Sequence, residues 1–206
     1  AQLGLGDDSG AADSFRRALE INPDFLDARF NLGMALLNQL DYDAASTCYE
    51  AVLQAAPRHL HALTRKADVD AIRGRLPEAE TGYDTALDLQ PTFGPALIGR
   101  GKLLLQANRP GDAVAYLKKA LEQDPNSVEA LMHTGDAFRK LGQPEAAAAA
   151  FSDALSIDPG NFQAKFHLAA VQGDETPARP DGEYVQRLFD EFADNFDESL
   201  ANVGYD

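Results

Sequence analysis

The sequence predicts an all-α protein, an α-solenoid built from helix-turn-helix units of 34 residues. Three observations carry that prediction. Five prolines, Pro23, Pro57, Pro91, Pro125 and Pro159, stand 34 residues apart without a slip, and a fixed period of this length marks stacked supersecondary units. Twelve residues before each proline stands an alanine: Ala11, Ala45, Ala79, Ala113 and Ala147. Eight before come Phe15, Tyr49, Tyr83, Leu117 and Phe151, five before come Ala18, Val52, Ala86, Ala120 and Ala154, and four before come Leu19, Leu53, Leu87, Leu121 and Leu155. Small and large residues alternating at helical spacing form a packing face.

The units follow in order from this register. Residues 1–25 supply the end of a first helix and a complete second helix, so the chain is expected to begin inside a repeat. Full units run 26–59, 60–93, 94–127 and 128–161, and residues 162–172 supply one more first helix. In each first helix one column is small, Gly33, Ala67, Gly101, Gly135 and Ala169, which allows two helices to approach closely. Between the halves sit Gly6, Gly74, Asn108 and Gly142, residue types that tolerate the left-handed conformation ending a helix. Leu40 breaks that column. Pro77, Pro110 and Pro144 suit the first turn of the following helix, where a missing N–H costs nothing. Single hairpins of this kind cannot bury their apolar faces alone, so stability is expected from neighbour-to-neighbour stacking.

The period stops after Val171. Gly173, Pro177, Pro180 and Gly182 mark residues 173–182 as a linker. Residues 183–206 then read as one acidic amphipathic helix, with Leu188, Phe189, Phe192, Phe196 and Leu200 at three- and four-residue spacing as a docking face. From Asp174 onward ten Asp or Glu stand against Arg179 and Arg187. This tail is a candidate for capping the open end of the solenoid or for self-association.

Composition narrows the function. The 206 residues carry a formal net charge of −15, which argues against nucleic acid, whose affinity comes largely from Lys and Arg neutralising phosphates. It equally disfavours an anionic membrane surface, and no apolar run reaches the ~18 residues of a membrane span. A single cysteine, Cys48, forms no internal disulfide, as in reducing compartments, so a cytoplasmic location is expected. The chain opens at Ala1 without a methionine, which suggests a fragment of a longer protein. Catalytic motifs are scarce: Gly99-Arg100-Gly101 follows no strand, Cys48 reads as a small core residue, and His133 with His167 is too small a set for a metal site. No enzyme, no metal and no cofactor are expected in this chain.

The repeat resembles the tetratricopeptide repeat, whose pattern is large, Leu, Gly, aromatic in the first helix and Ala, aromatic, Ala, Pro in the second. The match is looser in the first helix, where Lys66, Arg100 and Thr134 occupy the usual Leu column. The resemblance implies a right-handed superhelix whose first helices line a concave groove. Its register places there Phe30, Asn31 and Met34 from the first full unit, Arg65 and Asp68 from the second, and Ile98 and Lys102 from the third. The fourth contributes Met132, His133, Asp136, Arg139 and Lys140, and Phe166 and His167 close the row. Such a wall implies a protein or peptide ligand. Arg65, Lys102, Arg139 and Lys140 point to an acidic one through charge-assisted hydrogen bonds, unless they pair with Asp68, Glu129 and Asp136. The cationic clamp of chaperone-binding members is absent, since Phe30 and Met34 hold its first two places.

The tail phrase YVQRLFDEFADNFDESLANVGY, residues 184–205, resembles the lead-in of bacterial methyltransferases that carry these repeats ahead of a domain dependent on S-adenosylmethionine. That resemblance implies the interaction arm of a larger methyltransferase-like protein. The alternative is a free-standing adaptor with no enzyme attached. No strand with a following Gly-rich turn appears before Asp206, so the cofactor site is not expected in these residues.

Overall fold

The structure, a computed structural model, describes residues 8–173. Ten helices follow one another in that stretch: α1 (Asp8–Ile21), α2 (Leu26–Asn38), α3 (Tyr42–Ala55), α4 (Leu60–Ile72), α5 (Leu76–Leu89), α6 (Gly94–Gln106), α7 (Pro110–Gln123), α8 (Val128–Lys140), α9 (Pro144–Ile157) and α10 (Phe162–Gln172). The linker from 174 and the tail helix expected over 183–206, with Leu188, Phe189, Phe192, Phe196 and Leu200, lie outside the described residues.

The periodic prolines work in the turns between units. Phe25, His59, Phe93, Ser127 and Asn161 each donate a backbone N–H to the carbonyl three residues back, at 3.0–3.2 Å. That closes a β-turn with the proline at its second position, where a fixed φ is favourable. The same five residues stand at the start of the next helix, and three of them cap it. His59 Nδ1, Ser127 Oγ and Asn161 Oδ1 accept from the backbone N–H three residues on, at 3.1, 3.3 and 2.9 Å. One residue therefore ends one unit and starts the next.

Within units the turn is tighter and relies on a positive φ. Gly74 and Gly142 have φ of 76° and 69°, and Asn108 has 55°. Leu40, which breaks the column in sequence, takes the same conformation at φ 61°, with its side chain exposed. The neighbouring helices dictate the turn, and the leucine bears a cost of about 1–2 kcal/mol for it.

Consecutive helices pack along the whole series. The alanine column from Ala45 to Ala147 is fully buried, and Tyr49, Tyr83, Leu117 and Phe151 are buried beside it. The small column explains how they fit: a Cβ added at Gly135 would lie 2.5 Å from Phe151 Cε1, so the ring packs directly on the α8 backbone. The polar residues of the Leu column are satisfied rather than misplaced. Lys66 Nζ bonds the buried Asp70 at 3.0 Å, Thr134 Oγ1 donates to the Ala130 carbonyl at 2.8 Å, and Arg100 pairs with Glu80 and with Asp84, the latter at 2.9 Å. The first helices touch across units, α4 with α6 and α6 with α8, more closely than the second helices do. A stack that is closer on one side curves toward it, which makes the first helices the inner wall.

Candidate functional site

The expected groove residues divide into three groups. Four of them, Arg65 and Asp68 from α4 and Ile98 and Lys102 from α6, line one cavity of about 300 Å³ between the first helices. Its far side is closed by the end of α7 at Asp124 and by Glu129 in the first turn of α8.

The cavity wall is held by a hydrogen-bonded set. Arg65 Nη1 bonds Asp68 Oδ2 at 3.0 Å, and the Tyr83 hydroxyl donates to Asp68 Oδ1 at 2.7 Å. Burial pushes the Asp68 carboxyl above its ordinary value, although the Tyr83 hydrogen bond and the Arg65 charge pull it back. The Tyr83 hydroxyl is pushed up in turn, by burial and then by the Asp68 charge, so it remains a donor. Lys102 Nζ reaches Glu129 Oε1 at 3.1 Å, across from α6 to α8.

A second group forms an aromatic edge at the start of the wall. Phe30 packs against Tyr49, His59 and His61 with ring centroids 5.7, 5.3 and 6.3 Å apart, and His61 meets Phe93 edge-on at 5.0 Å. Burial, with His59 and Arg65 nearby, lowers the His61 pKa. Met34 is partly buried in the neighbouring core cluster, whereas Asn31 is exposed.

The third group lies around α8 and α10. Met132 is a core residue, packed in one cluster with Ala147 and Phe151, because its position on α8 falls on the side facing α9. His133 is lowered in pKa by burial and by the Lys102 charge, against the raising influence of Glu129 and Asp136. His167 stacks on Phe151 at 5.2 Å with its other side near Phe166. Phe166 itself is 39% exposed. Among the described residues no group of three metal-ligating side chains exists, and no helix is long and apolar enough to cross a membrane.

The four cations of the wall each have a partner. Besides Arg65 and Lys102, Arg139 bonds Asp136 at 3.3 Å and Lys140 Nζ donates to the Leu105 carbonyl at 3.3 Å. The row that stood out as a positive stripe in sequence is thus a set of ion pairs and one backbone contact.

Sequence reasoning missed Gly99. It lines the cavity and is the sixth residue of its unit, where the other units carry Asn31, Arg65, His133 and His167. A Cβ there would lie 2.3 Å from Tyr83 Cε1. The glycine lets α6 settle on the Tyr83 ring while adding no side chain to the cavity. Arg100 and its partners on α5 were also hidden, since Glu80 and Asp84 stand 20 and 16 residues away.

The chain resembles known proteins along most of these helices. A tetratricopeptide repeat model matches residues 30–92 and 98–162, and a second matches residues 14–45. Protein O-mannosyl-transferase TMTC3 of Mus musculus is 30% identical over 111 residues, and the match covers 47% of this chain but only 12% of that protein. Among solved structures, a thermophilic TPR protein of Thermus thermophilus superposes with a TM-score of 0.72 at 22% identity, covering 82% of this chain and 92% of the other. PilW, described as a widely conserved type IV pilus biogenesis factor, gives 0.68 at 25% identity over 73% and 70%. YrrB, described as a TPR protein with an unusual peptide-binding site, gives 0.59 at 22% over 79% and 84%. Matched by the repeat model over more than half its length, and folded as the repeat requires, this chain belongs to the tetratricopeptide repeat family.

Proposed function

We propose that this chain is a protein- or peptide-binding scaffold and not a catalyst, and that its ligand lies along the inner wall across α4, α6 and α8. One observation carries the reading: side chains from these three helices converge on a single cavity, polar on some sides and apolar at Ile98. Its volume of about 300 Å³ is at the small end for ligand pockets, so it suits one side chain of a longer segment better than a whole cofactor. The peptide-binding site named for YrrB, on the same fold, supports the assignment. The half-buried, free Cys48 suits a reducing compartment such as the cytoplasm. An acidic ligand finds little here, because Arg65, Lys102 and Arg139 are in ion pairs and Lys140 is held by a backbone carbonyl.

The methyltransferase-associated reading rests on the tail phrase at residues 184–205 alone. It makes the scaffold the recruiting arm of an enzyme, and titration of this chain with S-adenosylmethionine in a calorimeter then gives no heat of binding. A measurable affinity would overturn the expectation that this chain holds no cofactor site.

The binding reading is tested by selecting a displayed library of random peptides on the immobilised chain and repeating the selection with Ile98→Trp, which fills the cavity. Peptides enriched on the natural chain and lost on the variant are the expected result. Failure to enrich any peptide, or enrichment indifferent to Ile98→Trp, would overturn the reading.

A further inference from the structure

We infer that the cavity between α4, α6 and α8 is a specificity pocket for one basic side chain, a lysine or arginine of the bound segment. The inference rests on the peptide-binding reading above and adds the chemistry of the residue that enters.

Charge decides the sign. Five ionisable side chains line the cavity: Arg65 and Lys102 against Asp68, Asp124 and Glu129. Arg65 answers Asp68 and Lys102 answers Glu129, which leaves one negative charge in excess. Asp124 makes no ion pair among the described residues, and its carboxylate accepts only the Asn126 backbone N–H of its own turn, at 3.0 Å. Asp68 is a largely desolvated carboxylate whose proton affinity stays high despite Tyr83 and Arg65, so a further positive charge beside it is favourable. The net charge of −15 is of the sign that attracts cations and repels anions.

The helix ends at the cavity do not reverse this. A helix N-terminus attracts anions through its free N–H groups, and both α6 and α8 begin here. In α6 the second residue is Pro95, which has no N–H, and the Ala96 N–H turns back to the Phe93 carbonyl at 3.1 Å. In α8 the Ser127 hydroxyl already caps the Ala130 N–H and Glu129 already stands in the first turn. The end of α7, by contrast, brings the negative pole of its dipole to the wall at Gln123 and Asp124. The apolar part of the lining, Pro95 and Ile98, offers cover for the methylene stem of a long basic side chain, with Gly99 leaving room beneath it.

The test reads the sequences of the selected peptides and then their affinities. The expected consensus holds Lys or Arg at one fixed position, and replacing that residue by Gln in a synthetic peptide weakens binding about tenfold or more, the scale of one lost charge-assisted hydrogen bond. Glu129→Gln and Asp124→Asn, both at exposed positions, weaken the same peptide. Lys102→Gln releases Glu129 and strengthens it, whereas a pocket for an acidic side chain would show weakening. Peptides that bind in the groove with Asp or Glu at the fixed position, or that weaken with Lys102→Gln, overturn this inference and leave the scaffold reading intact. Enrichment of no peptide at all removes both.

Discussion

The joints α5–α6 and α9–α10 occupy equivalent places in the repeat, yet one opens a cavity and the other closes. In both, a buried ring stands in the second helix, Tyr83 or Phe151, and faces the sixth residue of the next unit. At α9–α10 that residue is His167, whose imidazole stacks flat on Phe151 at 5.2 Å. At α5–α6 it is Gly99, so the α6 backbone itself rests on Tyr83 and the space above stays open toward Arg65, Asp68 and Lys102. The repeat fixes where the wall runs. What departs from the repeat makes the pocket. Tyr83 also differs from Phe151 by the hydroxyl that holds Asp68 at 2.7 Å, so the open joint is a polar one.

The largest effect expected from disturbing this comparison is at the closed joint. Phe151 is fully buried and packed against α8 and His167, so Phe151→Ala removes a large core side chain and costs about 3–5 kcal/mol. Urea denaturation reads the loss directly, and a change below about 1 kcal/mol would mean that the stack of α9 and α10 contributes little. At the open joint, Gly99→Ala forces the Tyr83 ring or the α6 backbone to move, at a cost of about 1–3 kcal/mol from overpacking. The same substitution at an exposed glycine with free space, Gly111, serves as the control and should be neutral or slightly stabilising. Equal behaviour of the two alanines would refute the close approach of α6 to Tyr83.

The smallest effect comes from the joint between these two, where the sixth residue is His133. Burial and Lys102 lower its pKa in the folded chain, against Glu129 and Asp136. Its unfolded form therefore binds a proton first as pH falls, and stability is lost below the ordinary value of about 6.5 as pH drops toward the lowered one. His133→Gln should flatten the dependence of unfolding free energy on pH between about 7.5 and 5.5, by no more than the one-proton limit of about 1.4 kcal/mol per pH unit. His61 is lowered too and keeps part of the slope in the variant. Superimposable profiles for the two proteins would show that His133 stays as free to protonate as in the unfolded chain.

The sequence by itself determined the fold class and the alternation of first and second helices from α2 onward. The reason is that each unit repeats one local solution: a proline-started turn, a capped or proline-led helix, and a column of alanines one turn from a column of large residues on the same face. Local periodicity of that kind is written along the chain and needs no distant partner to be read. The inner wall was legible to the extent that position within the unit fixes which way a side chain leaves the helix, and the expected residues Arg65, Asp68, Ile98 and Lys102 line one cavity. Only the tertiary structure decided which groove residues were free to meet a ligand. Lys102 is paired with a carboxylate 27 residues on, Asp68 is held by a tyrosine 15 residues on, and Met132 turns into the core. Gly99 acquires its meaning from a ring on another helix. Pairs within one helix, such as Arg65 with Asp68, can be read from spacing, but pairing between helices and free space are properties of two or three elements at once, and no period in one chain direction encodes them.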